Sequence, residues 1–174
     1  MNEKLIKNKS KTMRGICFKE PLFRATVAGK KTVTRRLNSR YKIGEQLFLK
    51  EPYMIDSEGA VHYKYSAVNQ EYKVWKNKVF MPERYSRYHI EIVDVRQEYL
   101  QDITEEECMK EGIRIGSCGN DVQGWMRAYY IPGDNQPYMS PKEAYAALID
   151  EIDGNGTWDR NPIVTRYEYK LINY

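Results

Sequence analysis

Gly29-Lys30-Lys31-Thr32-Val33-Thr34-Arg35-Arg36 gathers amines, hydroxyls and guanidiniums within eight residues. That mixture suits either phosphate binding or the activation of a nucleophile. In a flat strand Thr32, Thr34 and Arg36 share one face and Lys31, Val33 and Arg35 the other, so Lys31 and Thr34 do not meet. A bend or helical turn directed by Gly29 makes residues three apart into neighbours. A threonine hydroxyl is a weak nucleophile that needs a positioned base. A lysine serves as that base only where burial, or cations such as Lys30 and Arg36, lower its pKa. From these residues alone, a threonine-rich strand with a solvated basic edge stays open as the alternative.

Working outward, Met13 to Phe18 reads as a strand, and Pro21 with Leu22, Phe23 and Val27 as a short helix ended by Gly29. Beyond the motif, Gly44 marks a turn before a half-buried strand over Glu45 to Glu51, and Val61 to Tyr65 reads as a further short strand. Trp75 to Pro82 is an irregular connection. Tyr88 to Tyr99 is a long strand whose apolar phase changes between Ile90/Ile92 and Val93/Val95, which implies a bulge or burial on both faces. Thr104-Glu105-Glu106-Glu107 is a capping box in which the Thr104 hydroxyl and the Glu107 carboxylate satisfy each other's ends of a helix that Gly112 stops. Ser140-Pro141 opens a longer helix through Ala144, Leu148 and Ile152 to Gly154, and Ile163 to Ile172 closes the chain as a strand. The Gly, Pro and Tyr content between Ile113 and Met139 indicates a long loop or excursion. These elements predict an α+β fold with a closed or nearly closed sheet, which protects strand edges.

Glu111 stands out on the capped helix. Ile103 and Cys108 form the expected hydrophobic staple, which fixes the buried side, and Glu111 leans toward it. It also sits at the helix C-terminus, where the macrodipole disfavours a carboxylate. An inward acid at that end calls for a cationic partner, and Lys31 or a motif arginine can supply it. A solvated last-turn glutamate is the plain alternative.

The chain has 174 residues, 41% of them hydrophobic, which suits one domain over 13–174 behind a flexible basic tail over 1–12. Cys17, Cys108 and Cys118 are odd in number and make no CxxC, which fits a reducing cytoplasm. No transmembrane span or secretory leader is read. Residues 1–50 hold 14 Lys and Arg against 3 acids, a balance of +11, and the remainder is −7. Such a field suits a phosphate-bearing partner, though a solvated basic face explains it equally well. His62 and His89 lie far apart and no Cys/His cluster has ligand spacing, so neither a metal nor a cofactor is expected. The glycines near Gly116 and Gly119 make no P-loop. The fifteen tyrosines offer stacking platforms, although aromatics on strands are more often core; Tyr129, Tyr130 and Tyr138, near Trp125, are the better candidates for stacking on bases.

The basic motif, Ile43-Gly44-Glu45 leading to Lys50-Glu51, Val93-Asp94-Val95-Arg96, Leu100-Gln101-Asp102-Ile103-Thr104-Glu105-Glu106, Glu111-Gly112, Trp158 and Asn161-Pro162 follow one another in an order that resembles the ASCH family, PUA-like domains of bacteria and phages. The resemblance runs from about Met13 to Ile172. It implies a PUA-like β-barrel with flanking helices. Its best understood members are metal-independent amidohydrolases that cleave N4-acetylcytidine, and the resemblance implies Thr34 as nucleophile, Lys31 as base and Glu111 as the acid that orients or assists proton transfer. Lys30, Thr32, Arg35, Arg36 and Glu51 are the expected substrate contacts. The chain departs from these relatives in its added material over Ser57 to Tyr85 and Ile113 to Asp159, and in Arg35, where an apolar residue often sits. The expected partner is therefore a modified nucleoside or RNA. A non-catalytic RNA-binding module is the alternative, and a phage accessory protein acting through the 113–139 excursion is a third.

Overall fold

The computed structural model describes residues 12–38, 40–66 and 74–172. The lysines of the basic tail and part of the Ser57–Tyr85 addition lie outside them. Strand β1 (Arg14–Cys17) leads into helix α1 (Glu20–Val27), with Pro21 in the first turn. Gly29 then takes φ +70, a conformation that favours a residue without Cβ. The amides of Lys30 and Lys31 both reach back to the Ala25 carbonyl, at 2.8 and 3.0 Å. The chain thus turns sharply before strand β2 (Val33–Arg36) begins, which is the bend that the motif called for.

Strands β3 (Gln46–Lys50), β4 (Tyr53–Ile55), β5 (Val61–Tyr63) and β6 (His89–Tyr99) follow. After them come α2 (Glu105–Lys110), β7 (Arg114–Asn120), β8 (Gly124–Tyr130), α3 (Pro141–Asp153), α4 (Thr157–Arg160) and β9 (Ile163–Ile172). Five strands form one mixed sheet in the order β1-β3-β6-β9-β2, with β1 and β3 parallel and the other neighbours antiparallel. The long β6–β9 ladder shifts register between Ile92 and Asp94, a bulge where the apolar phase of the sequence changes. Ile16, Leu47, Ile90, Ile92, Ile103 and Tyr167 are among the buried residues of one core beneath α1, α2 and α3.

The expected barrel is not formed. The fold is mixed α+β with an open sheet and two separate ribbons, β4–β5 and β7–β8. Closure would require β1 to pair with β2, but each is four residues long and no ladder joins them. Side chains serve these edges instead: Arg36 Nη2 donates to the Cys17 carbonyl at 3.0 Å and Lys78 Nζ to that of Phe18 at 2.5 Å. Short edges satisfied in this way need no closure.

Two further expectations are corrected. Much of the 113–139 excursion is the β7–β8 hairpin, paired from Arg114↔Tyr130 to Asn120↔Gly124. Its glycines, serine and asparagine hide the alternation that would reveal a strand, and both of its faces are largely exposed. The capping box is only half made. Thr104 Oγ1 accepts from the Glu107 amide at 3.2 Å, while the Glu107 carboxylate turns toward Arg35, Arg96 and Arg166. A charge-assisted bond to guanidinium is stronger than one to a neutral amide. Among the described residues no helix is long and apolar enough to cross a membrane.

Candidate functional site

Lys31 follows the Gly29 turn, Thr34 lies on β2, and Glu111 caps the C-terminus of α2. All three line one cavity of about 170 Å³, together with Phe18, Arg36 and Tyr145. They are almost wholly buried, at 2%, 4% and 4% exposure. Because β2 is an edge strand, residues from both of its faces reach this cavity.

Lys31 Nζ donates to Glu111 Oε2 at 2.5 Å and to the Val33 carbonyl at 2.7 Å, and lies 5.5 Å from the centre of the Phe18 ring. Burial pushes the Lys31 ammonium below its ordinary pKa of 10.5; Glu111 works against that shift, and Arg36 and Arg35 work with it. Thr34 makes no hydrogen bond through its hydroxyl among the described residues, so its oxygen is uncommitted within the cavity. Arg36 donates to the Cys17 carbonyl and packs 5.5 Å from the Phe18 ring centre.

Glu111 has further partners: Arg35 Nη1 donates to Oε1 at 3.1 Å and the Tyr145 hydroxyl approaches the same oxygen at 3.4 Å. Arg35 also donates through Nε to Glu98 at 2.7 Å and through Nη2 to Glu107. Burial alone would lower its pKa, but Glu111 and the other acids raise it and keep it charged. In the sheet Arg35 stands opposite Arg166, and Arg166 opposite Arg96. Three guanidiniums in register would repel one another. Glu107 lies between them, bonded to all three, with Glu98 bridging Arg35 and Arg96 and with Asp94 and Glu168 on Arg166.

The remaining expected contacts are dispersed. Arg35 lines the cavity, though its side chain is fully buried among glutamates. Thr32 donates its amide to the Lys110 carbonyl and does not line the cavity. Glu51, fully buried, is held by Arg87 through two bonds of 3.0 and 2.9 Å, also away from the cavity. Lys30 lines a separate open groove of about 1100 Å³ with Pro21, Ala25, Met109, Ile113 and Arg114. That groove is the larger concavity, yet it contains none of Lys31, Thr34 and Glu111. The smaller cavity is the candidate site because buried ionisable groups and an uncommitted hydroxyl converge there. A hollow of about 340 Å³ adjoins it and shares Lys19, Leu22 and Leu148.

The sequence reading missed Tyr145 and assigned Glu107 only to a cap. Glu107 lies one turn before Glu111 on α2, so the two acids share a face, and this spacing is the signal that could have found it. Tyr145 carries no comparable sign, because an aromatic on an apolar helix face reads as core. Among the described residues no group of three or more His, Cys, Asp and Glu is placed to hold a metal ion.

No protein-family model matches the chain, and no curated protein matches it. A solved structure that does match is that of an Enterococcus faecalis V583 protein described under the family model DUF984. It is 11% identical with a TM-score of 0.45, and the alignment covers 94% of this chain and 82% of that one.

Proposed function

We propose that the chain is a metal-independent amidohydrolase acting on an N-acylated cytosine nucleoside or a related modified base. The observation that carries this reading is the convergence, in one buried cavity, of Lys31 bonded to Glu111 and of Thr34 with an uncommitted hydroxyl. The resemblance to the ASCH amidohydrolases falls on the same three residues.

Thr34 Oγ1 attacks the acyl carbonyl carbon while Lys31 Nζ, as the neutral amine, takes the hydroxyl proton. Arg36 supplies positive charge to the carbonyl oxygen as it becomes an oxyanion. Collapse breaks the bond from the acyl carbon to the base nitrogen, and the Lys31 ammonium returns its proton to that leaving amine. Water, deprotonated by Lys31, then attacks the acyl-threonine ester, releasing the carboxylic acid and restoring the Thr34 hydroxyl. The inner cavity suits an acyl group and the reacting edge of a base, and the adjoining hollow suits the rest of the nucleoside.

Incubation of the purified chain with N4-acetylcytidine, followed by chromatography of cytidine, tests the reading. Turnover lost in Lys31→Ala and Thr34→Val supports it; absence of turnover in the native chain rejects it. The RNA-binding alternative draws less support, since Arg35, which it needs at the surface, is buried among three glutamates.

A further inference from the structure

A lysine bonded to a buried glutamate is a poor base. Removing its proton leaves a carboxylate without a counter-charge in a low-dielectric interior, which opposes the step. Lys31 and Glu111 meet that condition as a pair, but they are not alone. Arg35 Nη1 and the Tyr145 hydroxyl both approach Glu111 Oε1, leaving Oε2 to Lys31. Arg35 is fixed from behind by Glu98 and Glu107, and Glu107 is fixed in turn by Arg96 and Arg166.

From this geometry we infer that Arg35, assisted by Tyr145, is a positioning residue that holds Glu111 as a compensated anion, so that Lys31 can give up its proton and act as the base. The inference rests on the amidohydrolase reading for its purpose, though not for its test. When Lys31 is neutral, Glu111 still faces the Arg35 guanidinium, whose charge it shares with Glu98 and Glu107, and keeps a hydroxyl donor in Tyr145, so its charge is not stranded. Arg35 suits this task because guanidinium does not lose its proton in proteins. Tyr145 stays protonated, since burial and the nearby Glu111 raise its pKa well above the ordinary value.

The groups facing Lys31 come from four elements. Glu111 caps α2, Arg35 and Arg36 belong to β2, Tyr145 to α3, and Phe18 follows β1. Lys19, Lys78 and Asp153 complete the charged lining of the cavity. Among the described residues Arg35 and Tyr145 alone approach Glu111 Oε1, which singles them out from the other groups of the lining.

The test is an NMR titration of the lysine ¹⁵Nζ resonances in the folded full chain, without substrate, with Lys31 assigned by Lys31→Met. Arg35→Gln should move the Lys31 midpoint upward by about one pH unit or more, and Tyr145→Phe upward by less. Arg35→Lys, which keeps the charge, should restore most of the native value. An unchanged or lowered midpoint in Arg35→Gln and in Tyr145→Phe overturns the inference. Should Arg35→Gln fail to fold by circular dichroism, Tyr145→Phe and Arg35→Lys decide: an upward shift in the first with a near-native value in the second supports it, and no shift in Tyr145→Phe overturns it. Failure of the native chain to hydrolyse N4-acetylcytidine would reject the proposed function and leave this titration readable.

Discussion

Lys31 Nζ and Glu111 Oε2 stand 2.5 Å apart although 80 positions separate them in the chain. The Gly29 turn delivers one of them and the C-cap of α2 the other. If this pair serves Thr34, the three side chains should differ sharply from their neighbours under substitution. Thr34→Val keeps the volume and β-propensity of the side chain and removes only the hydroxyl. Its hydrolysis of N4-acetylcytidine should fall by at least about a thousandfold, comparable with loss of an essential nucleophile, while thermal unfolding stays close to native. Chromatographic rates and a melting curve on the same preparation measure both.

The direction of the Lys31 shift fixes the pH profile. Burial lowers its pKa below 10.5, and the proposed reaction uses the neutral amine, so kcat/KM should rise with pH along a single acid limb and level off above a midpoint below 10.5. Each pH unit below that midpoint should cost about tenfold in rate. Lys31→Arg should be inactive at every pH, because guanidinium cannot lose its proton in this range. A profile flat across the Lys31 titration would remove Lys31 from the role of base.

Much of this arrangement was legible in the sequence, for definable reasons. The capped helix at Thr104 fixed which way Glu111 leans, and Gly29 marked the turn that Lys31 needs. The sheet's openness was not legible, because hydrophobic alternation tells which residues form strands but not whether the two edges meet. The enclosure of Arg35 was not legible for a related reason: an arginine beside a candidate site reads from sequence as exposed to substrate. Its burial depends on Glu98, Glu107 and Glu111, which lie 63, 72 and 76 positions away. The hairpin over Arg114–Tyr130 was hidden by residues of low β-propensity.

Two buried glutamates should respond oppositely to neutralisation. Glu107 is desolvated, but Arg35 and Arg166 outweigh that and lower its pKa below 4.5, so folding favours its ionised form. Its contribution is present above 4.5 and lost as pH falls through the lowered value. Glu107→Gln leaves three guanidiniums short of an anion and should cost about 3–5 kcal/mol at neutral pH by urea unfolding. For Glu51, desolvation prevails over Arg87 and raises the pKa, so folding disfavours its ionised form; stability gained from it increases as pH falls toward the unfolded value. Arg87 keeps 27% of its side chain in solvent, so Glu51→Gln should cost about 1 kcal/mol or less. Equal losses in the two variants would contradict this division.

The Gly29 turn offers a test of placement without touching a functional group. A Cβ there meets nothing within 4 Å, so any penalty of Gly29→Ala arises from φ +70. That strain should cost about 1–2 kcal/mol in stability. If the backbone relaxes toward negative φ, Lys31 leaves the cavity and activity should fall further than stability predicts. Activity measured well below the melting temperature separates the two effects.

Lys30 and Lys31 are adjacent in the chain, yet one lines the open groove beside Arg114 and the other the inner cavity. Proximity in sequence therefore predicts nothing about shared function. Lys30→Gln should leave hydrolysis of the free nucleoside within about twofold of native, a change worth only a few tenths of a kcal/mol. Should the chain also bind RNA, the exposed cations of the groove are the ones able to meet phosphate, whereas Arg35 is enclosed. Neutralising Lys30 and Arg114 together should then weaken RNA binding and flatten its salt dependence by about two charges, with nucleoside hydrolysis untouched. Loss of hydrolysis in Lys30→Gln would instead show that the two hollows form a single site.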